Sequence, residues 1–104
     1  MRRWSTETLI CELDTPDLDL TTLTQIYISI DDGRSGVKEW GISRITVDNE
    51  NKELSLTLTQ AETGAFKTGI AQVQANMLTS DGARIETEYS EIEIYDSLKE
   101  GVIE

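Results

Sequence analysis

The strongest pattern of apolar and polar positions lies between Gly69 and Tyr95, where two extended runs are joined at Ser80-Asp81-Gly82. In the first run, small or apolar residues alternate with amides. The apolar set is Ala71, Val73, Ala75 and Met77, and the amide set is Gln72, Gln74 and Asn76. A period of two is typical of a strand with one buried face, and Asp-Gly favours the positive φ angles of a tight turn. The sequence therefore predicts a long β-hairpin.

The second run of this hairpin changes face part-way along. Ile85, Thr87 and Tyr89 share one face, and Ile92 and Ile94 share one face again. The spacing from Ile85 to Ile92 is odd, so strict alternation is lost once between them. We therefore expect a β-bulge near Tyr89-Ser90-Glu91.

Shorter alternating runs precede the hairpin and predict further strands. They lie at residues 8–13, 24–30, 37–40, 42–48 and 54–58. Thr59 and Glu62 have the spacing of a capping box, which predicts a short helical turn near residues 60–66. About seven short strands separated by turn signals favour an all-β fold, either an antiparallel sandwich or a barrel.

The chain of 104 residues fits one domain with a single core, and 38% hydrophobic content is ordinary for a globular protein. We expect the β domain to occupy residues 1–95. Residues 96–104 read as a charged tail, for which fraying is the usual expectation.

The net charge of −11 arises from 20 acidic and nine basic residues. Such a charge repels phosphate backbones and anionic lipid surfaces, so we expect neither nucleic acid nor membrane as a partner. Arg2-Arg3 is the only basic cluster and is too small to reverse this balance. No stretch approaches the roughly 20 apolar residues of a membrane span.

The chain has one cysteine and no histidine. It therefore cannot form an internal disulfide, and it lacks the commonest catalytic base and transition-metal ligand. Cys11 alternates with Leu9 and Leu13, which favours a buried, inert thiol over a nucleophile. We expect a protein that is not an enzyme and that has no cofactor and no metal.

Two groups of acidic residues are candidate sites. Five aspartates near the second strand could suggest a calcium site, but their spacing lacks the form of the familiar calcium loop. They are Asp14, Asp17, Asp19, Asp31 and Asp32. Glu86 and Glu88 lie two apart on one strand, where acid/base catalysis would need a partner in a different environment. Solvated carboxylates are the better interpretation of both groups.

A candidate interaction surface combines the amide face with the two tryptophans. Its residues are Gln72, Gln74, Asn76, Trp4 and Trp40. Amides can bind a partner without charge repulsion, although a plain solvent-facing strand explains them equally well. Trp4, Trp40 or Tyr27 could stack on sugars in a carbohydrate-binding module, but packing in the core or against another subunit is the better interpretation of the tryptophans.

A family resemblance rests on residues between Leu54 and Ile94. The motif consists of Leu56-Thr57-Leu58-Thr59-Gln60-Ala61-Glu62-Thr63, then Phe66, Gly69, Val73-Gln74 and Ser80-Asp81-Gly82. It resembles a pattern in the amino-terminal domain of phage baseplate upper proteins and in small structural proteins encoded by prophages of Gram-positive bacteria. Met1-Arg2-Arg3-Trp4 is a weaker similarity. The motif contains no catalytic residue.

The resemblance implies an immunoglobulin-like or related β-sandwich that assembles with other virion structural proteins. Unlike in the baseplate proteins, we expect no large domain after the sandwich, so the resemblance is not extended to receptor binding. We expect a non-enzymatic component of a phage or prophage particle, associated with the tail or baseplate and forming a homo-oligomer. It would be synthesised in the bacterial host cytoplasm and end in the virion. A carbohydrate-binding β-sandwich module is the alternative.

Overall fold

The computed structural model describes residues 1–104 and contains eight strands and one short helix. In chain order these are β1 (Glu7–Glu12), β2 (Leu23–Asp31), β3 (Val37–Trp40), β4 (Ile45–Asp48), β5 (Glu53–Leu58), α1 (Gln60–Gly64), β6 (Gly69–Thr79), β7 (Arg84–Glu86) and β8 (Ser90–Ile94). One antiparallel sheet has the order β1-β5-β4. The other has the order β3-β2-β6-β7, with β8 also pairing with β6. No helix is long and apolar enough to cross a membrane.

The core lies between the two sheets and uses every second residue of the central strands. The smaller sheet contributes Leu54, Leu56 and Leu58 of β5, and the larger sheet contributes alternate residues of β2 and β6. The latter are Ile26, Ile28, Ile30, Ala71, Val73, Ala75 and Met77. The predicted all-β sandwich is therefore confirmed, because a period of two places one face of each strand against the opposite sheet.

The returning run of the long hairpin is broken into β7 and β8, which explains why eight strands form instead of about seven. Asn76 pairs with Glu86 and Val73 pairs with Ser90. Between these pairs, two residues of β6 therefore face three residues, 87–89, of the returning chain. The predicted bulge is confirmed, beginning two residues earlier than expected. Thr87 stabilises it, because the Ala75 N–H donates to Thr87 Oγ1 over 2.9 Å.

The bulge changes the face on which Tyr89 lies. The sequence predicts Tyr89 on the face of Ile85 and Thr87, but the Tyr89 side chain is 65% exposed. It lines a groove with Gln72 and Gln74 on the opposite face of the sheet. That prediction is wrong, because the extra residue comes before Tyr89 and reverses the alternation from there on.

The predicted helical turn forms from Gln60 to Gly64 and begins with the capping box. The Glu62 N–H donates to Thr59 Oγ1 over 3.2 Å, and the Thr59 N–H donates to Glu62 Oε1 over 2.9 Å. These bonds satisfy amide groups that the first turn of a helix leaves free. Phe66 follows the helix and is fully buried in the core.

Both ends of the chain contact the sandwich. Residues 1–3 run parallel to the end of β8, where the Arg3 N–H donates to the Tyr95 carbonyl over 2.8 Å. Residues 96–104 form no helix or strand. The Gln60 side chain nevertheless binds the tail at Ile103, accepting from its N–H over 2.8 Å and donating to its carbonyl over 3.2 Å.

Candidate functional site

The three amides of the predicted interaction surface lie together on the solvent-facing side of the larger sheet, which we call the outer face. The register pairs Tyr27 with Asn76, Ser29 with Gln74, and Asp31 with Gln72. Directly opposite residues of an antiparallel pair share a face, so β2 and β6 place these side chains in adjacent rows. The amide face predicted from the sequence thus has polar and aromatic neighbours from a second strand.

Hydrogen bonds orient two of the three amides, Gln74 and Asn76. The Gln74 side-chain amide donates to the Thr87 carbonyl over 2.9 Å. Arg84 Nη2 donates to Asn76 Oδ1 over 3.1 Å and forms an ion pair with Glu86 at 2.8 Å. Because these contacts restrict rotamers before any partner arrives, binding at this face would lose less side-chain entropy.

Exposed apolar side chains surround the amides on the outer face. They are Tyr27, Val37, Ile70, Leu78 and Tyr89. Two shallow grooves lie between them. One has a volume of about 380 Å³ and is bordered by Tyr27, Leu78 and Arg84. The other has a volume of about 200 Å³ and is bordered by Val37, Tyr89 and Gln72. Each groove therefore combines a tyrosine with an amide or guanidinium group.

Trp40, also predicted at the interaction surface, does not lie on the outer face. It is half-buried, pairs with the core residue Ile28, and its ring centroid lies 6.2 Å from that of Phe66. Its indole Nε1 donates to Glu62 Oε2 over 2.7 Å. Trp40 thus packs the end of the core and fixes the start of α1.

Trp4 lies at a second place away from the outer face, against the end of α1. The Trp4 ring is half-buried and so close to Gly64 that a Cβ there would lie 2.2 Å from Trp4 Cε3. The Arg3 guanidinium lies 5.8 Å from the Trp4 ring centroid and donates to the Gly64 carbonyl over 2.9 Å. The five predicted surface residues are therefore not one site, because both tryptophans pack against the fold.

Glu62 connects the start of α1 with Trp40 of β3 and with Arg44, which precedes β4. It caps α1, accepts from Trp40 and forms a bidentate ion pair with Arg44. In this pair Arg44 Nη2 lies 2.7 Å from Glu62 Oε1, and Arg44 Nη1 donates to Glu62 Oε2 over 3.0 Å. Hydrogen bonding by Arg44 lowers the pKa of the Glu62 carboxyl to about 2, against the opposing effect of partial burial. The charged form is thus the one that the fold stabilises.

We expect Glu62→Gln to lower the free energy of unfolding by about 1–2 kcal/mol at pH 7, because it removes charge-assisted bonds from Arg44. Urea unfolding would measure the change, with Glu39→Gln on the exposed outer face as control. The folded-state pKa is below the unfolded value, so the stabilisation is present above about pH 4.5 and is lost toward pH 2. A difference that stays constant across this range would contradict the assigned role of the charge.

Asp32 is the buried carboxylate of the chain, so its interpretation as a solvated loop carboxylate is wrong. It is 6% exposed and accepts from the Arg34, Ser35 and Lys67 N–H groups and from Ser35 Oγ. Burial raises its pKa, but these bonds outweigh it and hold the pKa well below its usual range. The spacing of Asp32 and Ser35 is a turn signal that could have indicated the local bonds. No local signal indicates Lys67.

The other acidic candidates do not converge on a site. No group of three acidic, histidine or cysteine side chains is placed to hold a metal ion, so the five aspartates are not brought together. Asp19 caps the 3-10 turn at residues 20–22, and its hydrogen bonds with Thr21 lower its pKa. Glu86 is paired with Arg84, and Glu88 lies in the bulge. Asp19 thus acts in a local turn and Glu86 in an ion pair.

Cys11 lies on the inner side of β1 and is half-buried, where burial raises the pKa of its thiol. A raised pKa lowers the thiolate fraction at neutral pH and so its nucleophilicity. This environment supports the inert thiol that the alternation with Leu9 and Leu13 predicted.

The outer face is thus a surface of ordered amides and exposed tyrosines, and the tryptophans, Glu62 and Asp32 stabilise the sandwich that presents it. Comparison with known proteins adds no assignment, since no protein-family model and no curated protein matches the chain.

Proposed function

We propose that the protein is a non-enzymatic structural component of a phage-type particle, associated with the tail or baseplate, that acts by binding neighbouring protein subunits. The observation that carries this proposal is the outer face, where oriented amides lie among exposed apolar side chains. Tyrosine-rich surfaces with fixed polar groups are typical of protein interfaces. The net charge of −11 favours a basic surface on partners other than a second copy of the chain.

The residues of the motif that resembles baseplate proteins support this proposal, because each of them has a structural role in the fold. Thr59 and Glu62 cap α1, Phe66 fills the core, and Gly82 has a φ of +89° in the turn before β7. Each of them builds the sandwich, and none of them faces a reactive site. A motif made of such residues is consistent with a structural protein that acts by binding other subunits.

Incorporation of outer-face variants into particles tests this proposal. Gln72 is exposed at the centre of the outer face, so Gln72→Arg adds a large charged group without disturbing the core. We expect its incorporation to fall about tenfold or more, because the longer side chain protrudes from the centre of the outer face and prevents close contact with a partner. Thr46→Arg, on the exposed side of the smaller sheet, is the matched control. Equal incorporation of both variants would contradict the proposal.

Carbohydrate binding is the second candidate function, and the placement of two tyrosines favours it. Tyr27 and Tyr89 each border a groove that also contains amide groups. Sugars bind by stacking on aromatic rings and by hydrogen bonds to fixed polar groups. The structure thus directs this hypothesis to Tyr27 and Tyr89 instead of the packed tryptophans.

A glycan array distinguishes the two functions. If the outer face binds sugars, Tyr27→Ala or Tyr89→Ala abolishes a glycan signal that the parent protein shows. Tyr95→Ala is the control, because Tyr95 is exposed but lies beside Arg2 at the end of β8. No signal from the parent protein, together with loss of particle incorporation in Gln72→Arg, would decide for assembly.

A further inference from the structure

The free edge of β1 is the longest unpaired strand edge of the sandwich. β1 has six residues, whereas β3 and β4, which end their sheets, have four each. At the remaining edge, residues 1–3 cover the end of β8. An unpaired edge presents backbone N–H and C=O groups that favour pairing with another strand.

The hydrogen-bond pattern shows which residues of β1 present these groups. The Leu13 N–H donates to the Lys52 carbonyl, so this pair is of the hydrogen-bonded type. Such pairs alternate along an antiparallel ladder, which makes Cys11 and Leu9 hydrogen-bonded to β5 as well. The backbone groups of Thr8, Ile10 and Glu12 therefore point away from β5 toward the free edge.

The free edge of β1 has an exposed apolar side chain on one side and a cleft between the sheets on the other. Ile10 is 59% exposed on the solvent side of β1. On the inner side, Leu9 and Cys11 are half-buried and border a cleft of about 400 Å³ between the sheets, with Val73 and Ile92 opposite. A strand added to β1 would cover both Ile10 and this cleft.

We propose that β1 pairs with β1 of a second copy of this chain, antiparallel across a two-fold axis at Ile10. This register places Ile10 opposite Ile10, Thr8 opposite Glu12, and Leu9 opposite Cys11 of the second copy. The Ile10 and Thr8–Glu12 pairs each exchange two backbone hydrogen bonds. In this arrangement, Leu9 and Cys11 of one copy lie beside Cys11 and Leu9 of the other on the inner side of the joined sheet. These side chains then cover the cleft.

Avoidance of like charges favours this register. Within one copy, Glu12, Glu53 and Asp48 form an acidic row across the smaller sheet, and Thr8 and Thr57 form a hydroxyl row. The proposed register continues each acidic row into the hydroxyl row of the second copy. A shift that placed Glu12 opposite Glu12 would join two acidic rows, and like charges directly opposite are destabilising.

The proposal deepens the proposed function by naming a second copy as one partner, through an edge separate from the outer face. Its test needs only the purified protein. A dimer without particle incorporation would overturn the proposed function alone, and incorporation of a monomer would overturn the β1 pairing alone.

Sedimentation velocity over a range of concentrations tests the pairing. We expect the parent protein to dimerise and Ile10→Lys to weaken the dimer about tenfold or more, because it places two ammonium groups face to face. Thr46→Lys makes the same charge change on β4 of the same sheet and should leave the dimer intact. A monomeric parent protein at about 1 mM, or a dimer insensitive to Ile10→Lys, would overturn the proposal.

Disulfide trapping tests the register itself and does not depend on whether Ile10→Lys folds. In a Cys11→Ser background, Ile10→Cys places two thiols at a Cα separation of about 5.5 Å, within the range of a disulfide. We expect mild oxidation to give a covalent dimer with Ile10→Cys and not with the control Thr46→Cys. Equal cross-linking of both variants, or none with Ile10→Cys, would overturn the register.

Discussion

Asp32→Ala is expected to lower the free energy of unfolding by about 3 kcal/mol or more, the largest effect of any single polar substitution in the chain. The change removes the acceptor of four hydrogen bonds at a site that is 6% exposed. It leaves backbone N–H groups of Ser35 and Lys67 without partners, and a buried unsatisfied donor costs about 1–3 kcal/mol. Denaturant unfolding at pH 7 measures the effect.

Asp31→Ala is the matched control for Asp32. Asp31 is the preceding residue and accepts from the Gly33 N–H over 2.8 Å at an exposed position. We expect its removal to cost about 1 kcal/mol or less. Asp32 is assigned the role of linking the turn between β2 and β3 to the segment before β6. Equal effects of the two substitutions would contradict this role.

The contribution of Asp32 depends on pH in a stated direction. Its folded-state pKa is below the unfolded value, so the folded state favours the carboxylate. The stabilisation is present above about pH 4 and is lost progressively as the pH falls below that value. The difference in stability between the parent protein and Asp32→Ala should therefore shrink in acid.

Gly64→Ala is expected to destabilise the protein by about 2–3 kcal/mol, because the new methyl group would lie 2.2 Å from Trp4 Cε3. The Trp4 ring also lies 5.8 Å from the Arg3 guanidinium, which binds Asp96 at 2.7 Å. The ring must therefore move away from α1, with loss of these contacts. Thermal or urea unfolding measures the effect.

A double-mutant cycle separates the clash from other effects of Gly64→Ala. Gly64 is the last residue of α1 and has no positive φ that would disfavour alanine. In a Trp4→Ala background the clash is absent, and alanine is a better helix residue than glycine by up to about 1 kcal/mol. Gly64→Ala should then be neutral or stabilising. If it destabilises both backgrounds equally, the contact with Trp4 is not its cause.

The strands could be predicted from the sequence because their signals are local. Alternating apolar residues, the Asp-Gly turn and the Thr59–Glu62 spacing each act within a few residues, and they predicted the observed elements except at residues 42–44, which form a 3-10 turn before β4. The odd spacing between Ile85 and Ile92 even indicated the bulge. It could not locate the extra residue, and one position of error placed Tyr89 on the wrong face.

The contacts that could not be predicted join residues far apart in the chain. Asp32 binds the Lys67 N–H, Trp40 binds Glu62, and Trp4 packs on Gly64. The sequence favours packing for the tryptophans but also allows them in the interaction surface, because composition and spacing do not show which ring meets a complementary surface. Only the assembled sandwich shows that they pack, and that Tyr27 and Tyr89 are the aromatic residues of the outer face.

The proposed role in assembly is tested most directly by quantitative mass spectrometry of phage-type particles purified from a bacterial host that carries this gene. If the chain is a structural component, its peptides should co-purify with the particles in several copies per particle, at a constant ratio to the other particle proteins. Abundant chain in the cell lysate, with none in purified particles, would contradict the account.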